Sequence, residues 1–92
     1  LSDDQKLKER IDYGKHADDL LSNPCYRDFK IQMRANLLTT FEATKFKDKE
    51  DRDEIWRKFQ TLGWLEKSLE RFARDGRIAN ETLLERIKNK LS

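Results

Sequence analysis

One histidine, one cysteine, one proline and three glycines are scattered through the 92 residues of this chain. A structural zinc site takes four Cys or His ligands, which His16 and Cys25 alone do not supply. A single cysteine excludes a disulfide within the chain and fits a reducing compartment. So few turn residues argue against an all-β fold, and no glycine-rich phosphate loop is present. Apolar runs never exceed two residues, so neither a membrane span nor a secretory signal peptide is expected. The net charge is only +2, from 20 basic and 18 acidic residues mixed along the sequence. That balance gives no basic arm or acidic tail and argues against a one-sided basic face. The chain opens on Leu1 rather than Met, which leaves room for a preceding segment that carries part of the function.

What the sequence does have is charge, at 41% of residues, and aromatics: five Phe, two Trp and two Tyr. Disordered chains are poor in aromatics, so a folded all-α protein is expected, one helical domain over residues 1–92. Ser2 and Gln5 form a capping box, and Asp3 and Asp4 suit the positive end of a helix dipole. Leu7, Ile11, Gly14, Ala17, Asp18 and Leu21 then share one face of a helix over about 3–22. Ser22-Asn23-Pro24 ends it, with Asn23 capping the next helix and Pro24 at its first position.

That second helix, over about 24–43, carries a stripe of Cys25, Tyr26, Phe29, Met33, Leu37 and Phe41. Ile31, Ala35 and Leu38 form a smaller apolar patch on its opposite side, so it is either sandwiched or offers one side to another chain. Thr44–Lys47 is a break short enough for an antiparallel hairpin, and Phe46 is expected to staple its end.

Asp48 then caps the longest helical pattern, about 49–75, with acids in its first turns and Arg71 and Arg74 in its last. Asp53–Arg57, Glu54–Lys58 and Glu70–Arg74 are i,i+4 pairs in the favoured order. Its core stripe is Ile55, Phe59, Leu62, Leu65, Leu69, Phe72 and Ala73. Trp56 and Gly63 lie on one edge, where Gly63 admits a close neighbour, and Trp64 falls opposite the stripe. Glu66 sits near the stripe centre; it either pairs with a base such as Arg10 or Lys15, or escapes to the edge of a twisted stripe, the favoured reading. Asp75-Gly76 reads as a stop with Gly76 in the left-handed position. A short helix over about 81–90 follows, capped by Asn80 and carrying Leu83, Leu84, Ile87 and Leu91.

The order Ala17–Pro24 (ADDLLSNP), Glu42-Ala43-Thr44, Asp48–Trp56 (DKEDRDEIW) and Asp75–Ala79 (DGRIA) resembles a family of small, largely uncharacterised α-helical proteins of tailed bacteriophages. The likeness covers about 17–79. It implies a phage origin and a role in head assembly or DNA packaging, and brings no catalytic residues with it.

Each candidate for chemistry meets a plainer explanation. His16 and Cys25 read as an exposed imidazole and a small residue at a helix start, and no second Cys or adjacent His supports a nucleophile. The acids of 48–54 lack the glycine and ligand alternation of a calcium loop. No enzyme activity, cofactor or metal is therefore expected. Lys45, Lys47, Lys49 and Arg52 gather at the hairpin turn, with Arg86, Lys88 and Lys90 on the last helix, enough for salt-sensitive phosphate contacts. Acids interrupt the first cluster, and a solvated charged face is the competing reading. Arg77–Leu84 and the helix after it bear a weak likeness to a helix-turn-helix, without a first helix of suitable length. Tyr13, Leu20, Ile31, Leu38 and Trp64 are apolar residues off the core faces of all three main helices. Together they suggest a surface for a partner or for self-association, against the plainer reading that the last helix and a layered packing cover them.

The expected function is non-enzymatic, phage structural or assembly work by protein–protein association in the host cytoplasm or virion. A ring-forming, terminase-like DNA-packaging subunit and a regulator of a host protein are the alternatives.

Overall fold

The structure is a computed structural model that describes residues 2–45 and 47–91. Three helices account for most of them: α1 (Asp3–Ser22), α2 (Pro24–Ala43) and α3 (Lys49–Leu91). The expected all-α fold is present, with the α2–α3 hairpin and an N-terminal helix. The local start and stop signals act largely as their chemistry dictates. Gln5 N–H donates to Ser2 Oγ at 3.2 Å while Ser2 N–H donates to Gln5 Oε1 at 2.9 Å, closing the capping box. Asn23 Oδ1 accepts the Tyr26 N–H at 3.1 Å, and Pro24 opens α2. At the other end of α2, Thr44 donates both its backbone N–H and its hydroxyl to the Phe41 carbonyl.

Asp48 does its capping differently from expectation. Its carbonyl takes the Arg52 N–H, which starts α3, while its carboxylate accepts the Lys45 N–H at 3.0 Å and closes the loop instead. The staple expected from Phe46 lies outside the described residues.

The stop expected at Asp75-Gly76 is not there. α3 runs on to Leu91, so residues 81–90 are its last turns rather than a separate helix, and Asn80 is a helical residue rather than a cap. No described glycine has a positive φ. The sequence puts glycine at 76 for a tertiary reason. A Cβ built on Gly76 would lie 2.7 Å from the Gly14 Cα, and one built on Gly14 would lie 2.7 Å from the Gly76 Cα. Backbone meets backbone here, and only hydrogen fits between.

Contacts divide the chain into two compact units, Leu1–Leu21 with Ser68–Ser92, and Ser22–Lys67. In the first, α1 runs antiparallel to the C-terminal part of α3. Its buried residues are small or slender: Leu7, Gly14 and Ala17 from α1, with Ala73, Gly76 and Ala79 opposite. Ion pairs flank the glycine contact. Arg10 reaches Asp75 with two hydrogen bonds, at 2.7 and 3.0 Å, Arg77 meets Asp18 at 3.3 Å and Arg86 meets Asp4 at 3.1 Å. In the second unit α2 and α3 form the antiparallel hairpin, and among its described residues only Leu37 and Ile55 are buried.

Candidate functional site

A two-helix unit has one seam, so each helix keeps most of its circumference in solvent. Where both sides of a helix are apolar, hydrophobic groups must then lie open. Among the described residues six apolar side chains are buried, whereas thirteen large hydrophobics are exposed. Scattered exposed apolar groups are ordinary; groups gathered in a groove are not.

In the hairpin unit such a groove of about 470 Å³ is lined by Arg34, Leu38, Phe41, Trp56, Phe59 and Gly63. Trp56, Phe59 and Gly63 fall at i, i+3 and i+7 on α3, which places them on one helical face. Phe41 is half-buried and held from above by Arg52, whose guanidinium carbon lies 4.4 Å from the ring centroid. Trp56 is 60% exposed. Gly63 stands apart from the other two glycines, because a Cβ added to it meets nothing within 4 Å. A mid-helix glycine costs about 1 kcal/mol relative to alanine, and no contact within the chain accounts for this one.

Beside the groove, Glu66 joins the two helices. It accepts from Lys30 Nζ at 2.6 Å and from Arg34 at 3.0 Å, so its bases come from α2 and not from Arg10 or Lys15. The hydrogen bond from Lys30 holds the Glu66 carboxyl below its ordinary pKa against the opposing effect of burial, with the charges of Lys30 and Arg34 assisting. In the other unit the Arg10 hydrogen bonds lower Asp75 in the same way. A carboxylate with a depressed folded-state pKa stabilises the fold fully above its unfolded value, and loses that contribution as pH falls through the folded value. The urea midpoint is therefore expected to hold from neutrality to the carboxylate range and to fall below about pH 4. Glu66→Gln should lower the midpoint at neutral pH and shrink the acid loss. An acid limb identical in the variant would show that Glu66 contributes nothing to it.

The surface residues picked from the sequence are placed as follows. Leu38 lines the groove; Ile31 on α2 and Trp64 on α3 are 63% and 64% exposed. Tyr13 and Leu20 line a smaller hollow in the other unit with His16, Ala17, Leu69 and Phe72. Sequence reasoning missed Trp56, which it left on the edge of the core stripe. It also assigned Phe29, Leu65 and Phe72 to core faces, and all three are exposed. Their stripes are real, but two-helix units cannot cover them.

Of the basic residues, Lys45, Lys47 and Lys49 are exposed around the turn, whereas Arg52 is engaged with Phe41 and Arg86 with Asp4. Lys88 and Lys90 sit in the last turn of α3, where the helix dipole favours positive charge. Cys25 is exposed in the first turn of α2. Among the described residues no three His, Cys, Asp or Glu side chains are grouped to hold a metal ion, and no helix is long and apolar enough to cross a membrane. Comparison with protein-family models, curated proteins and solved structures finds no match to this chain.

Proposed function

We propose that this chain is a non-enzymatic assembly protein of a tailed bacteriophage, working by helix-mediated association with copies of itself or another phage protein. The excess of exposed over buried large apolar side chains carries the reading. Burial of apolar area is the main favourable term in association, and among the described residues this fold leaves thirteen large hydrophobics exposed. The phage setting, in head assembly or DNA packaging within the host cytoplasm or virion, rests on the sequence resemblance over residues 17–79. Light scattering coupled to size exclusion should give a mass above the 11.1 kDa of one chain, or the protein should co-sediment with assembling phage heads. A monomer at high concentration that binds no virion component overturns the proposal.

The rival reading, a ring-forming DNA-packaging subunit, draws on the exposed lysines at the hairpin turn. It predicts DNA affinity that falls steeply with salt and weakens when Lys45, Lys47 and Lys49 become glutamine. Association unaffected by DNA, with no retention on a DNA column at low salt, removes it.

A further inference from the structure

We infer that the groove around Gly63 receives a second copy of this chain, the two α3 helices crossing at their Gly63 residues. This deepens the association reading above and rests on it.

Three observations lead here. First, the chain uses glycine in mid-helix to bring backbones together: Gly14 and Gly76 touch, and neither tolerates a Cβ. Gly63 is the third glycine, also in mid-helix, with open space where a Cβ would go. Second, the open space is flanked mainly by apolar side chains, Trp56 and Leu38 exposed and Phe41 and Phe59 half-buried, with Arg34, drawn to Glu66, as the one charged residue of the lining. A helix crossing at a glycine with aromatic walls gains close backbone approach and aromatic burial together.

Third, the area fits a dimer. With about 150–250 Å² for each fully covered aromatic side chain, the open parts of these four residues leave roughly 400 Å² of apolar surface per copy. A standard interface of about 1,600 Å² that is a little over half apolar covers about 900 Å² of apolar surface, and two such patches facing each other offer roughly 800 Å². A second copy also brings the small residue that a glycine crossing needs. Gly63 against Gly63 repeats the contact this chain already makes between Gly14 and Gly76. Trp56 of each copy then lies over the α3 helix of the other.

Sedimentation equilibrium on the full chain, with circular dichroism in parallel, tests the inference through Gly63→Ala, Gly63→Leu and Thr61→Leu. The wild-type chain should follow a monomer–dimer equilibrium. Gly63→Leu should raise the dimer Kd about tenfold or more, as overpacking a close contact does, and Gly63→Ala should raise it less. Both should keep or increase helicity, because a Cβ at this position meets nothing within 4 Å and glycine is the weaker helix former. Thr61→Leu, on another side of α3, should leave the Kd unchanged. A wild-type oligomer with the same mass and affinity in both Gly63 variants overturns the crossing and leaves the association reading standing. A wild-type chain that stays monomeric also overturns it, while binding to phage heads is judged separately.

Discussion

Gly76→Leu should separate α1 from α3 and lower the melting temperature more than any single surface change. The atom a new Cβ meets is the Gly14 Cα at 2.7 Å, with the Arg10 carbonyl oxygen at 3.1 Å. Neither is the mobile end of a side chain, so the helices must move apart. Overpacking of this kind costs about 1–3 kcal/mol and at times more. For a chain of this size each kcal/mol shifts the melting temperature by roughly 4–8 °C. Gly76→Ala is the sharper comparison, because alanine favours the helix by about 1 kcal/mol and the clash opposes that gain. It should still destabilise, while Gly63→Ala, with nothing to meet, should stabilise. Thermal unfolding followed by circular dichroism reads both. A Gly76→Ala chain that melts above wild type would mean that the two glycines do not touch.

Ile55→Ala should have an effect at least as large. Among the described residues Leu37 and Ile55 are the buried hydrophobics of the hairpin unit, so the loss is not shared among many neighbours. Large-to-small changes at such positions cost about 2–5 kcal/mol, a large fraction of the total for any small domain. Urea titration should show an early loss of helix in the variant. Trp64→Ser should do the opposite. It should shift the urea midpoint little, within about 0.5 kcal/mol as for most exposed positions, and weaken association if Trp64 contributes to a covered surface. A Trp64→Ser chain that unfolds as readily as Ile55→Ala would place Trp64 in the folding core.

These contrasts show which parts of the molecule local sequence can express. The caps at Ser2 and Asn23 were legible because donor and acceptor lie three residues apart. The hairpin was legible because α2 and the start of α3 each carry a helical period with a short break between them. Gly76 was misread because a glycine after Asp looks the same whether it ends a helix or admits another backbone. The partner that decides between these, Gly14, is remote in sequence. Glu66 is expected at the stripe edge, with Arg10 or Lys15 as the bases of the alternative, and its pairing with Lys30 and Arg34 is missed for a related reason: which residues of α2 stand beside it depends on the register of the hairpin, which no local pattern states. Trp56 was passed over although its spacing to Phe59 and Gly63 follows one helical face. The pattern shows an apolar face; how many helices are available to cover it is a property of the assembled fold.

The aromatic surface left open by folding should be covered by protein once the chain assembles. Acrylamide quenching of Trp56 and Trp64 in single-tryptophan variants, each with the other Trp changed to Phe, measures that covering residue by residue. In the isolated chain both indoles are about equally open, at 60% and 64%. As protein concentration rises from dilute toward assembly conditions, quenching of Trp56 should fall markedly, and Gly63→Leu should restore it. Quenching that stays at its dilute value across the whole range, alone and with phage heads present, would contradict the account.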